Sequence, residues 1–250
     1  MISMTLAIYC LNFERRLCWM LSSLLQQESS GVKLTVDVGY VRGEGAPTSK
    51  AVLDFFESQG LRVVHTAYDK ADIETYQKRG LVRNRQLAQC TTDWIWFGDC
   101  DMTVCPEFLM KFEEIVKKLS PEDAKKMLTC RRWSTNKPPD ATNAIVAEHT
   151  YPCTVPSAYM RTYALPKHKK SNRGAGYCQI ANVANIRKNH QGVYINPNRN
   201  PDYGWNKFWK TKSDSHFRRM LGILRVPLPP FVHLQHLRDN EVKKHIELQR

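Results

Sequence analysis

The strongest constraint on this chain is the alternation of short apolar runs with helix-period segments over its first 120 residues. Thr5–Leu11 (TLAIYCL) reads as a buried strand, and residues 13–27 follow with Phe13, Leu17, Met20, Leu21, Leu24 and Leu25 at helical spacing. Ser29, Ser30 and Gly31 stop that helix. Lys33–Val41 predicts a second strand, Arg42–Pro47 a loop and Lys50–Gln59 a helix ended by Gly60, and Arg62–His65 begins a third strand. Tyr76–Cys90 predicts a helix with Leu81, Val82, Leu87 and Ala88 as its apolar face. Trp94–Gly98 (WIWFG) is a fourth strand and Pro106–Leu119 a further helix. Such alternation closes most simply as an α/β fold with a mostly parallel, doubly wound sheet flanked by helices. Ligands of these sheets bind beyond the carboxyl ends of the strands, so chemistry is sought there first.

The second half is less regular. Residues 134–175 are rich in Pro, Lys and Asn, yet Trp133, Tyr151, Tyr159 and Tyr163 are interspersed, which predicts loops and short strands rather than disorder. Tyr177–Ile186 is apolar again. Ser213–Leu221 opens on a good N-cap and reads as a helix. Phe231–Leu237 (FVHLQHL) reads as a short strand, and the last twelve residues as a charged helix. No run approaches the length of a membrane span. The apolar start, Met1–Leu11, lacks the basic region and cleavage site of a signal peptide. The eight cysteines form no C-x-x-C pair, which argues against a zinc knuckle. Free thiols in apolar stretches fit a reducing, cytoplasmic compartment.

Chemistry is concentrated at Asp99-Cys100-Asp101, directly after the aromatic strand. Two carboxylates one residue apart at a strand exit can bind a hard divalent cation, directly or through water. Mg²⁺ or Mn²⁺ there would neutralise a diphosphate and the charge developing on a leaving nucleotide. A D-x-D triplet alone is weak, and it also serves as a loop pair capping the next helix; the strand end is what favours the metal.

The run Gly80-Leu81-Val82-Arg83-Asn84-Arg85, followed by Asp93 to Asp101, resembles the core of family 2 glycosyltransferases, which have the GT-A fold. The opening strand with Tyr9 and Asn12, and the second strand with Asp37, extend the resemblance over residues 4–120. The resemblance implies one GT-A domain over 1–250, with a nucleotide-sugar half (1–120) and an acceptor-side half (121–250). It implies that Tyr9, Asn12, Asp37, Arg83 and Asp99 contact the donor nucleotide or its diphosphate, Asp37 from the end of the second strand. Here Asp37 is followed by Val38-Gly39 rather than the family's acidic-Gly-Ser turn, and Cys100 is expected to point away from the metal. The helix opening at Ser213-Asp214 resembles the segment that supplies the catalytic base, so Asp214 would take the proton of the acceptor hydroxyl in an inverting transfer; the alternative is a helix cap. A histidine near the C-terminus completes the metal site in many GT-A enzymes. A regular strand points only one of His233 and His236 at it, and His233 is preferred, with Asp99 and Asp101, as metal ligand. Gly174 to Gln179 reads as a tight loop behind the donor sugar.

The acceptor is read from charge. The net charge is +13, from 37 Lys+Arg against 24 Asp+Glu. The basic residues concentrate in the second half among Trp133, Tyr177, Trp205 and Trp209. Cations on phosphates with rings on bases suit a nucleic acid. The segment from Gly174 to Arg219 resembles the enzymes that glucosylate hydroxymethylated bases in phage DNA and in base J synthesis, so DNA is the expected acceptor. A surface saccharide or lipid-phosphate acceptor is the alternative. A nucleotidyltransferase would want a Gly-rich basic first loop, which Leu11-Asn12-Phe13-Glu14 lacks. A non-catalytic DNA-binding protein also stays open, with no helix-turn-helix or zinc motif in the sequence.

Overall fold

The computed structural model describes residues 1–43, 47–69, 79–130, 132–135, 146, 148–155, 164–166, 178–190, 194, 213–229 and 231–234. Its centre is the strand β1 (Ile2–Tyr9), paired in parallel with β2 (Val32–Val41) on one side and β4 (Trp94–Asp99) on the other. Met4, Leu6, Ala7 and Ile8 are all fully buried, as expected of a strand covered on both faces. β3 (Val63–Tyr68) extends the sheet beyond β2. Beyond β4 come β9 (Gln179–Asn182), β6 (Met127–Thr129) and β10 (Ile223–Arg225), giving the seven-stranded order β10-β6-β9-β4-β1-β2-β3. Only β9 runs against its neighbours.

Helices cover both faces. On one, Leu17 and Leu21 of α1 (Glu14–Leu25), Val52 and Phe56 of α2 (Ser49–Ser58) and Phe112 of α4 (Phe108–Val116) pack on Leu6, Ile8, Val36, Trp94 and Trp96. On the other, Leu87 of α3 (Arg79–Gln89), Ile186 of α5 (Val183–Asn189) and Phe217 and Leu221 of α6 (Ser213–Leu221) pack on Ala7, Ile95 and Phe97. A second sheet of four strands has the order β5-β11-β7-β8, from Met102–Thr103, Phe231–His233, Arg132–Thr135 and Ala164–Pro166. It brings the C-terminal β11 antiparallel to the residues directly after the D-x-D triplet.

The doubly wound α/β sheet is as expected, with differences of detail. β1 begins earlier and stops at Tyr9, β3 continues to Tyr68, and β4 includes Asp99 itself. The apolar run Tyr177–Ile186 divides into β9 and the start of α5, because the Asn182 side chain caps a new helix by accepting from the Asn185 amide. The largest difference is α3. Its sheet-facing side carries buried Arg83 and Gln86 beside Val82 and Leu87, while Ala88 is exposed. This helix lies close on β2: a Cβ at Gly39 would stand 2.8 Å from Val82 Cγ1. No helix among the described residues is long and apolar enough to cross a membrane. The last twelve residues and the region around Tyr159 and Tyr163 lie outside the described residues.

Candidate active site

The parallel register sets the carboxyl ends of β1 and β4 level, while β2 runs two residues further. Tyr9 lies beside Gly39 on one side and Asp99 on the other. Adjacent strands stand about 4.8 Å apart, so Tyr9 and Asp99 share one rim. Tyr9 is half-buried, packed against Val41, Tyr68 and Val82. The chain then turns through exposed Asn12, whose φ of 59° is the left-handed conformation that asparagine tolerates best among residues with a side chain. The turn delivers the first turn of α1 to the same rim.

Asp37 is not at this rim. β2 continues four residues past it to Val41, and Asp37 is 3% exposed. The Thr66 hydroxyl donates to its carboxylate at 2.5 Å, and Gln86 Nε2 donates to its backbone carbonyl at 3.0 Å. Burial, only partly offset by these donors, pushes its pKa up to about 6. The expected strand-end acid is therefore an enclosed polar group of the sheet.

The pleat separates the members of the triplet. Asp99, the last residue of β4, faces α3. Cys100 turns the opposite way and is buried against Cys10; their hydrogen bond and burial raise its thiol pKa well above the ordinary value. Asp101 has left the strand. Its carbonyl accepts from the Leu234 amide at 2.8 Å, and its Oδ2 lies 3.1 Å from His233 Nε2. The pairing of His233 with Met102 makes this contact, so β11 delivers His233 to the triplet. His236 lies outside the described residues.

Arg83 is placed differently from the expectation. It does not reach toward the rim but is fully buried behind Asp99. Its Nη2 is 3.3 Å from Asp99 Oδ1, and its Nη1 donates to the Tyr194 hydroxyl at 2.7 Å and to Gln179 Oε1 at 3.3 Å. The guanidinium carbon lies 5.5 Å from the Phe97 ring and 5.2 Å from the Tyr194 ring.

Asp99, Asp101 and His233 therefore do not converge on one point. Among the described residues, the one set of three such side chains with ligand atoms within 4.8 Å is Asp54, Glu57 and His65, away from this rim on α2 and β3. Asp101 with His233 is the pair that fits a divalent ion: a carboxylate and an imidazole in contact are a donor set suited to Mn²⁺. Asp99 lies one strand-end away, where it could act through water.

Three residues around the triplet were not read as site residues from the sequence. Arg16, in the first turn of α1, feels the charge of Asp101, and its guanidinium lies 5.6 Å from the Phe13 ring. Burial lowers its pKa while Asp101 opposes the shift. The usable signal is a basic residue at the start of the helix that follows the first strand. Gln179 was noted as the end of the Gly174 loop, of which Gly174 to Tyr177 lie outside the described residues. Tyr194 sits in an aperiodic stretch that gives no signal. Asp214 is the second residue of α6 as expected, but its side chain lies outside the described set.

No protein-family model matches this chain, and no curated protein matches it by sequence. Solved structures do match. S. aureus TarS 1-349 in complex with UDP superposes with a TM-score of 0.54 at 13% identity, covering 99% of this chain and 64% of that one. The same TarS segment in complex with UDP-GlcNAc gives 0.51 at 12%, covering 95% and 59%. Mannosyltransferase PcManGT from Pyrobaculum calidifontis, in complex with GDP-Man and Mn²⁺, gives 0.56 at 11%, covering 98% and 61%. This is the GT-A fold. The GT-A likeness is one of architecture, and the chain spans less than two thirds of the length of each of these structures.

Proposed function

We propose that this chain is a metal-dependent glycosyltransferase that moves a sugar from a nucleotide-diphosphate sugar to an acceptor hydroxyl. The observation that carries this is the D-x-D triplet at the end of β4, level with Tyr9 and with Asp101 3.1 Å from His233. The nucleoside lies along the rim formed by Tyr9 and Asn12, and the diphosphate lies over the triplet. Asp101 and His233 would hold a divalent cation, with Asp99 contributing through water; bound there, it would supply positive charge to the diphosphate. Arg16 adds a second positive charge from the α1 side.

The transfer is an inverting displacement. Asp214 accepts the proton of the acceptor hydroxyl as its oxygen attacks the anomeric carbon. The bond from that carbon to the diphosphate oxygen breaks, and a nucleoside diphosphate leaves. The whole chain acts as one GT-A unit, with residues 1–120 on the donor side and 121–250 on the acceptor side. All eight cysteines are free, which supports a reducing, cytoplasmic setting.

For the acceptor, a net charge of +13 supports a polyanion, and we take it to be a hydroxymethylated base in DNA. The test is incubation with Mn²⁺, a panel of nucleotide sugars and duplex DNA containing 5-hydroxymethylpyrimidines, following nucleotide release and DNA mass. A DNA mass gain of one hexose is the expected result. Nucleotide release without a DNA adduct would keep the transferase and move the acceptor to a saccharide or lipid phosphate. DNA binding without metal-dependent release from any donor would leave a non-catalytic binder and sink the enzyme reading.

A further inference from the structure

Arg83 is among the largest side chains buried whole in this protein, beside Trp19 and Trp96. A guanidinium out of water is costly unless its donors and its charge are matched. The matching is specific. Nη2 faces Asp99 Oδ1 at 3.3 Å and the Gly98 carbonyl at 3.5 Å. Nη1 is received by the Tyr194 hydroxyl at 2.7 Å, and that hydroxyl donates onward to Gln179 Oε1 at 2.6 Å. The Tyr194 backbone amide is anchored in turn on Asn84 Oδ1 at 2.7 Å, one residue along α3 from Arg83. The Tyr194 ring stacks on Phe217 of α6, with centroids 4.4 Å apart and planes 22° apart. Asp99 stands at the outer end of this series with a side chain 30% exposed.

We propose that Tyr194 and Gln179 are positioning residues: they fix the Arg83 guanidinium, and Arg83 fixes the Asp99 carboxylate at the rim. The stack of Tyr194 on Phe217 ties that carboxylate to α6, the helix that begins at Ser213-Asp214. The metal-side carboxylate and the helix of the proposed base are thereby held in one frame. A planar fork is suited to this because its two nitrogens are rigidly related, so orienting one orients the other. The consequence for turnover rests on the proposed glycosyltransferase reading; the consequence for cation binding rests only on its metal site.

The experiment is Tyr194→Phe, which keeps the ring and its stack and removes only the hydroxyl. Three readouts are taken: Mn²⁺ binding to the protein alone by electron paramagnetic resonance, Mn²⁺-dependent release of nucleotide from the donor sugar, and thermal unfolding. Loss of a group that orients a metal-site carboxylate weakens cation binding or activity by about tenfold or more. The expected result is therefore an about tenfold rise in the Mn²⁺ dissociation constant and an about tenfold fall in kcat, with donor KM at saturating Mn²⁺ unchanged. Arg83→Lys keeps the charge but not the fork and should show the same loss. The double variant should lose no more than Arg83→Lys alone, because both changes break one series of contacts. Wild-type Mn²⁺ affinity in Tyr194→Phe would overturn the proposal, and would do so even if the melting temperature fell, since that contact would then be only structural. If the unaltered protein releases nucleotide from no donor, the transferase reading fails by itself, and the Mn²⁺ titration still decides whether Tyr194 sets the carboxylate.

Discussion

Asp99 and Asp101 are separated by one residue and stand in different surroundings. Asp99 stands at the rim of the sheet, against a buried guanidinium enclosed by Phe97 and Tyr194. Asp101 faces the turn between the two sheets, against His233 and within the field of Arg16. The end of the strand causes the division: the pleat would set residues two apart on one face, but Asp99 is still in the strand and Asp101 is not. A D-x-D triplet at a strand end is therefore not a symmetric clamp here. One carboxylate balances a buried charge, and the other meets a histidine in a geometry that an ion can replace.

Replacing each acid in turn is the way to break this comparison. Asp101→Asn keeps the carbonyl that receives Leu234 but removes the charge facing His233. Turnover should fall about a thousandfold, equivalent to the several kcal/mol of charge stabilisation a cation supplies. The rise in melting temperature that Mn²⁺ gives the unaltered protein should vanish, while metal-free stability changes little. A retained Mn²⁺ shift would move the cation site away from Asp101. The effect of Asp99→Asn on turnover should be smaller, about a hundredfold, the upper range for disturbing a metal site's surroundings. Its effect on metal-free stability should be larger, a loss of about 2–3 kcal/mol, because Arg83 is left buried without the carboxylate it touches. Chemical denaturation of the two variants without metal checks this. Equal stabilities would erase the distinction between the two sides of the triplet.

Legibility in the sequence follows the same division. The sheet could be read through Asp99 because its central strands, β1 and β4, are covered on both faces and largely apolar, as in WIWF. The triplet and His233 could be read because strand ends are where such folds place their ligands. Arg83 was found but misplaced. A charge on a helix is ordinarily solvated or aimed at a ligand, and nothing local says that α3 turns a polar side to the sheet. The buried state of Arg83 depends on Gln179 and Tyr194, which lie 96 and 111 residues away along the chain. Asp37 was misplaced for another reason: the strand was read correctly to Val41, which leaves Asp37 in its middle, and only the resemblance set the acid at the strand's end.

Asp37 sharpens the comparison from below. It lies on β2 beside Gln86 of α3, as Asp99 lies beside Arg83, but its carboxylate is met by a hydroxyl rather than a guanidinium. Its folded pKa is accordingly raised, to about 6 from 3.8. Below about pH 4 the carboxyl is protonated in both the folded and unfolded protein, and its contribution to stability is fully present. Between about pH 4 and 6 the folded protein keeps a proton that the unfolded chain has released, so stability falls as pH rises. Above about pH 6 the loss is complete, and two units correspond to about 3 kcal/mol at most. Asp37→Asn can still accept from Thr66 and does not titrate. It should be more stable than the unaltered protein at pH 7.5, with the difference closing by pH 4, as measured by urea unfolding at four pH values. Donor KM should not change, because the side chain is enclosed. A raised KM would return Asp37 to the nucleotide, and a pH-independent difference in stability would mean that the carboxylate finds in the folded sheet as much compensation as Asp99 finds in Arg83.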